Sequence, residues 1–184
     1  MSIKWPKKEI LFLTSLGICV FLISLFLHDD TLDLTADGKF YSDTARNFLD
    51  GNGLTTKAAF PSFIKYSPLT AAGWPPYAPI FFPIVLSLFF LMFGISGSTT
   101  IFTSGFFYVL TIPFLYSIAA TIFGKKTAIL SSLMYIFHPS FVFYANIGMS
   151  EPLFIFLIVL ATYLAIKTNP NYFYVGLVLC LASI

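Results

Sequence analysis

The 184-residue chain is 58% apolar and only 10% charged, with a mean hydropathy of +0.87, whereas soluble domains carry about 25% charged residues. It reads as an integral membrane protein, and its apolar runs use so much of the length that no separate soluble domain fits. Ten Lys and Arg against eight Asp and Glu leave a net charge of +2, too slight and too scattered for a nucleic-acid partner.

The first apolar run, residues 10–27, follows Lys4, Lys7, Lys8 and Glu9. A helix needs about 20 apolar residues to cross a bilayer, so this run qualifies. It is longer than a secretory h-region and no small-x-small site follows it, which makes it a retained span. Residues 28–99 then form a long connection, and connections of that length usually serve a function. It holds Asp29, Asp30, Asp33, Asp37, Asp43 and Asp50 together with Lys39, Arg46, Lys57 and Lys65.

Inside this connection, residues 38–49 are predicted to form a helix, capped by Asp37 and stopped by Asp50, Gly51 and Gly53. Phe40, Thr44 and Phe48 form one i, i+4 row and Tyr41, Ala45 and Leu49 the next, while Lys39, Ser42, Asp43, Arg46 and Asn47 fill the rest. That amphipathic pattern suits a helix lying at the membrane interface. Pro61, Pro68, Pro75, Pro76, Pro79 and Pro83 break the chain further on, with Trp74 and Tyr77 placed as interfacial aromatics. Residues 78–94 are expected to form a second interfacial or membrane-embedded helix. Four more runs are read as spans: 100–123, closed by Gly124, Lys125 and Lys126; 127–146; 152–166, ending at Lys167; and 172–184. The last simply stops, so the chain looks truncated.

The positive-inside rule sets the sidedness. If residues 78–94 do not cross, Lys4, Lys7, Lys8, Lys125, Lys126 and Lys167 share the cytoplasmic side. The N-terminus is then cytoplasmic, and the six aspartates and Glu151 share the outer side of the cell membrane. Glu151 is the only formal charge between Lys126 and Lys167 and directly precedes Pro152, a favoured first helical residue. A carboxylate at a helix N-terminus is favoured in its ionised form, and an ionisable group in a membrane protein is a functional-site hypothesis. His28 and His138 are isolated and do not make a metal site. Cys19 and Cys180 lack metal or redox spacing and read as small buried hydrophobes. No phosphate loop, catalytic Ser-His-Asp set or internal repeat is present.

Asp37, Tyr41 and Arg46, Gly51-Asn52-Gly53, Trp74-Pro75-Pro76-Tyr77-Ala78-Pro79, Phe93-Gly94, Phe123-Gly124-Lys125-Lys126 and Ser150-Glu151-Pro152 together resemble the N-terminal part of multi-spanning GT-C glycosyltransferases. Protein O-mannosyltransferases and the lipid A aminoarabinose transferase are relatives of this kind. The resemblance covers nearly the whole chain from His28 onward. It implies an all-α polytopic transmembrane bundle, a single domain over residues 1–184, with a long outer loop containing juxtamembrane helices. It also implies transfer of a hexosyl or pentosyl group from a polyprenyl-phosphate-linked donor to a hydroxyl acceptor on protein, lipid or glycan. By this resemblance Asp37 is the catalytic carboxylate and Glu151 the second acidic position. Asp37 would act as the base on the acceptor hydroxyl, worth roughly 10²- to 10⁴-fold. Tyr41, Arg46, Lys39 and Lys65 would bind substrate, with Arg46 preferred for the lipid phosphate because its fork binds bidentately. A divalent metal is left open as a cofactor. Gly38 stands where many relatives carry an acidic residue and Trp74 where some carry Lys, departures that bear on sugar and acceptor identity. The rival readings are a non-catalytic membrane scaffold or transport subunit and an inactive truncated relative. Against transport, the acids gather at one face, and inverted repeats are missing.

Overall fold

A computed structural model describes residues 7–27, 34–57, 79–167 and 170–183. Lys4, His28, Asp29, Asp30, Asp33, Lys65, Trp74, Tyr77 and the prolines from Pro61 to Pro76 lie outside the described residues. Eight α-helices run through the remainder: α1 Lys7–Leu27, α2 Ala36–Leu49, α3 Phe81–Phe93, α4 Gly97–Phe123, α5 Lys125–Ile136, α6 Pro139–Asn146, α7 Glu151–Ala165 and α8 Tyr172–Ser183. The fold is an all-α polytopic membrane bundle. α1 and α4 are long and apolar enough to cross a membrane, and α5 with α6 makes a third candidate if the bent pair is one span. α7 and α8 are shorter apolar helices of 15 and 12 residues, about 22 and 18 Å long at 1.5 Å per residue.

α4 is the central post, packed by α1, α3, α5, α6 and α7. Several of its buried hydroxyls return to the carbonyl one turn back: Thr103 Oγ1 donates to Thr99 O at 2.8 Å, Thr111 Oγ1 to Phe107 O at 2.8 Å and Ser117 Oγ to Pro113 O at 2.7 Å. This is how polar side chains are accommodated in an apolar helix. α1 approaches α4 through small residues on both sides. A Cβ on Gly105 would stand 2.1 Å from Phe21 Cζ, and one on Gly17 would stand 2.2 Å from Ile112 Cδ1. Each glycine thus makes room for a large side chain of the other helix, and van der Waals packing at small residues is a main source of helix affinity in lipid.

Helix directions follow from contacts at the two ends. Lys125 pairs with Glu9, and Asn146 Nδ2 donates to Ser24 Oγ at 2.8 Å, so α1 rises, α4 descends and α5–α6 rises again. α7 runs parallel to α4: Phe107 packs on Phe156 at 5.5 Å and, seven residues on in both helices, Phe114 packs on Tyr163 at 5.2 Å. Lys7, Lys8, Lys125, Lys126 and Lys167 therefore gather at one end of the bundle, while α2 and Glu151 occupy the other. α3 begins beside Tyr41, where Phe82 meets that ring at 5.2 Å. It ends at Gly94, whose carbonyl accepts from Thr99 Oγ1 at the start of α4 at 2.9 Å. Both of its ends lie at the α2 end.

Three local expectations are corrected. The run 127–146 is not one continuous helix: α5 and α6 meet at 49°, because Pro139 cannot donate and His138 is extended, with ψ 119°. The Ile136 carbonyl near this break accepts from Tyr108 Oη at 2.6 Å, and His138 stacks on Phe141 with ring centroids 4.4 Å apart. Cys19 and Cys180 are exposed rather than buried, as small apolar side chains facing lipid can be without penalty. Finally, α2 starts two residues earlier than Asp37 capping would allow. Thr35 is its cap, with Oγ1 accepting from Gly38 N at 3.1 Å, and Asp37 sits in the first turn.

Candidate functional site at the α2 end

α2 is held against the turn between α6 and α7, and Gly38 makes the close approach. A Cβ there would meet the Ile147 carbonyl oxygen at 2.8 Å and that of Gly148 at 3.3 Å. The turn itself is fixed from α4, where Ser104 Oγ donates to Met149 O at 2.7 Å. Thr35 Oγ1 reaches Met149 Sδ at 3.3 Å. α2 is thus seated backbone against backbone, which explains why no acidic side chain follows Asp37 in this chain.

Asp37 and Tyr41, one helical turn apart, share a stripe of α2. Tyr41 is 5% exposed, packed edge-on to Phe82, and its hydroxyl lies 3.1 Å from Ser150 Oγ. Ser150 is the N-cap residue of α7 but makes no side-chain cap bond, so its hydroxyl serves Tyr41. Glu151 follows, half-buried at the first turn of α7. Among the described residues its Oε2 has no hydrogen-bond partner. Tyr41, Ser150 and Glu151 form the polar rim of a cavity of about 310 Å³ whose walls include Phe81, Phe82, Leu153 and Phe154, with Leu181 and Ala182 from α8.

The electrostatics tie Asp37 to this cavity. Burial raises the Glu151 carboxyl above its ordinary value; the N–H of its own backbone opposes the shift and the charge of Asp37 adds to it. The sequence-based expectation of a dipole-stabilised ionised form is outweighed, because desolvation of the charged form is the larger effect. Burial likewise raises the Tyr41 phenol; the Ser150 hydrogen bond opposes that, and the charges of Asp37 and Glu151 add to it. Glu151 and Tyr41, both on the rim of the apolar cavity, therefore both feel the charge of Asp37. Among the described residues, no three His, Cys, Asp or Glu side chains come together.

Lys39 and Arg46 do not join this group. At about 100° per residue they fall roughly opposite Asp37 on α2, and they line a different cavity, of about 390 Å³, with Ser42, Asp43 and Lys57. Sequence reasoning missed Ser150 as the partner of Tyr41 and missed Leu181 and Ala182 in the wall. Ser150 carried a signal in the Ser-Glu-Pro run, whereas the α8 residues carried none.

A helical membrane bundle with Glu151 and the carboxylates of α2 at one end belongs here to the membrane glycosyltransferases of the GT-C type. More narrowly, the chain belongs to the family described as dolichyl-phosphate-mannose-protein mannosyltransferase, which matches residues 77–183, more than half of the sequence. That range includes Ser150 and Glu151; α1 and α2, with Asp37 and Tyr41, precede it. The family implies glycosyltransferase activity in general, a polyprenyl-phosphate sugar donor and a membrane setting. No curated protein and no solved structure matches the chain.

Proposed function

We propose that this protein transfers one sugar from a polyprenyl-phosphate-linked donor to a hydroxyl acceptor, with Asp37 as the general base, at the outer face of the cell membrane. The observation that carries the reading is the hydrogen bond between Tyr41 and Ser150, which ties α2, the helix that bears Asp37, to the start of α7, where Glu151 feels the Asp37 charge. In the transfer step the acceptor O–H gives its proton to the Asp37 carboxylate while the acceptor oxygen bonds to the anomeric carbon. The bond from that carbon to the phosphate oxygen breaks, and its electron pair leaves with the lipid phosphate. A base within reach of the hydroxyl supplies roughly 10²- to 10⁴-fold. Glu151, half-buried and held towards its protonated form, is the second acidic group, suited to donating a hydrogen bond to substrate.

The aromatic and aliphatic wall of the cavity suits an isoprenoid chain, and Tyr41 suits contact with the sugar. Lys39, Arg46 and Lys65 are kept as substrate contacts from the sequence, Lys39 and Arg46 lying on the stripe of α2 opposite Asp37. The orientation follows from the lysines collected at the end opposite α2, since cytoplasmic ends carry the Lys and Arg excess. α7 and α8 are taken as further crossings, completed by local thinning of the bilayer.

The test is transfer of label from a pool of polyprenyl-phosphate sugars by membranes carrying the full-length protein, with wild type and Asp37→Asn compared at matched expression. Loss of at least about a hundredfold in the variant is expected. Equal transfer by the two proteins removes Asp37 as the base.

A further inference from the structure

The reversal that follows α2 carries Asn52-Gly53, and both residues are exposed. Gly53 takes φ 70°, a conformation open to glycine at little cost, and a Cβ built there would meet nothing within 4 Å. The Asn52 backbone is held: its N–H donates to Asn47 O at 2.9 Å and its carbonyl accepts from Thr55 Oγ1 at 3.2 Å. Its side-chain amide and the Gly53 N–H, by contrast, have no hydrogen-bond partner among the described residues. A side-chain carbonyl carbon thus stands next in the chain to an exposed, uncommitted amide nitrogen, on a residue with no side chain to block its approach.

The other asparagines lack this combination. Asn47 and Asn146 are 3% and 5% exposed, and their Nδ2 atoms donate to Thr55 O at 3.0 Å and to Ser24 Oγ at 2.8 Å. Asn171 Oδ1 accepts from Phe173 N at 3.1 Å, and the residue after it is Tyr172. Asn169 is followed by Pro170, whose nitrogen bears no proton.

We propose that Asn52 is a site of spontaneous deamidation and that its isoaspartate product releases the segment clamped against α2. The Gly53 nitrogen loses its proton to water and bonds to Asn52 Cγ, and the side-chain nitrogen leaves as ammonia, closing a cyclic imide. Water then adds to one of the two imide carbonyls, whose bond to the ring nitrogen breaks. Opening at Cγ leaves aspartate. Opening at the backbone carbonyl leaves isoaspartate, in which the main chain runs through Cβ and Cγ and is one methylene longer. That methylene falls inside a closed set of contacts. Asn52 N and Thr55 O are both bound to Asn47, and the next two residues are bound to Asp43, whose Oδ2 accepts from Thr56 Oγ1 at 3.0 Å and from Lys57 N at 2.5 Å. A longer chain between fixed points does not fit the same contacts, and the Asn52 carbonyl that Thr55 uses becomes a carboxylate outside the main chain. Nothing in this chemistry depends on sugar transfer.

The test incubates the purified full-length protein in phosphatidylcholine nanodiscs at pH 8 in heavy-oxygen water and follows it by peptide mapping. The peptide carrying Asn52 should take up one heavy oxygen and split into aspartate and isoaspartate forms, ahead of the peptides carrying Asn146, Asn169 and Asn171. The same peptide excised before incubation is the reference. Conversion of the excised peptide with Asn52 intact in the folded protein overturns the proposal, because the fold then blocks the attack. Hydrogen exchange at the Lys57 amide reads the clamp, since a lost hydrogen bond opens that site to solvent. Exchange should be faster after conversion than before it, and unchanged by the same incubation in Asn52→Gln, which keeps the backbone contacts. Equal exchange before and after conversion overturns the release of the segment, and so does an equal rise in the Gln variant, which would place its cause elsewhere in the chain.

Discussion

The Tyr41 hydroxyl lies 3.1 Å from Ser150 Oγ, joining residues 109 positions apart in the chain and tying the amphipathic helix α2 to the start of α7. Tyr41 is buried among Phe40 and Phe82, and its hydroxyl is the polar end of an otherwise apolar contact. Tyr41→Phe should therefore cost about 0.5–1.5 kcal/mol, the net worth of one hydrogen bond. Ser150→Ala should cost a similar amount and add little in the double variant. A double-mutant cycle on unfolding in detergent measures the coupling, and full additivity would show that the two hydroxyls do not work as a pair. Transfer should fall in both single variants, because α2 carries Asp37.

Gly38→Ala should be more damaging than either. Its Cβ would stand 2.8 Å from the Ile147 carbonyl oxygen, and that neighbour is backbone that cannot rotate away. Overpacking of this kind costs about 1–3 kcal/mol, and here relief comes by lifting α2 off the turn that carries Glu151. The expected pattern is transfer reduced more than thermal stability, since the bundle of α1, α4, α5 and α6 does not depend on the seat of α2. Activity at the wild-type level in Gly38→Ala would mean that α2 can move without consequence for the site.

The helices were legible because apolar runs are punctuated by lysines at Lys7, Lys125 and Lys167, and the α5–α6 bend carried its signal in Pro139. The cap of α2 was misread because Thr35 and Asp37 are both good capping residues two positions apart, and the seating of Gly38 on the 147–148 turn decides between them. The opposition of Lys39 and Arg46 to Asp37 was available from helical periodicity alone, once the helix itself was accepted. What could not be read was the pairing of Tyr41 with Ser150 or the α8 wall of the cavity, since contacts across more than a hundred residues depend on how whole helices pack.

The raised Glu151 carboxyl makes stability depend on pH with a definite sign. Below its ordinary value near 4.5 the group is protonated in folded and unfolded chains alike. As pH rises past that value the unfolded chain releases the proton while the folded chain holds it, so stability falls until the pH passes the raised folded value, and then levels off. Glu151→Gln should remove this slope and be more stable than wild type at pH 8, though with reduced transfer. Asp37→Asn should shrink the slope without abolishing it, because burial is the first cause of the shift and the Asp37 charge a lesser one. Unfolding midpoints in detergent from pH 5 to pH 8 for the three proteins provide the check. Parallel curves for wild type and Glu151→Gln would exclude the group as the source.

The sidedness proposed for the site can be tested apart from any chemistry. Asn52 lies exposed in the turn after α2, and Lys126 is exposed at the opposite end of the bundle. With Cys19 and Cys180 replaced by Ala, a cysteine at position 52 should react with a membrane-impermeant maleimide in intact cells, and one at position 126 only after permeabilisation. The two positions are fixed to opposite ends by helices that the Glu9–Lys125 and Ser24–Asn146 contacts orient independently, so the labels must exchange together if the orientation is wrong. Exchange would place Asp37 and Glu151 in the cytoplasm, where the positive-inside rule would have been overridden by the lysines of the 28–99 connection. Labelling of both from outside would instead mean that α4 does not cross, and with it the separation of the lysine end from the acidic end would be lost.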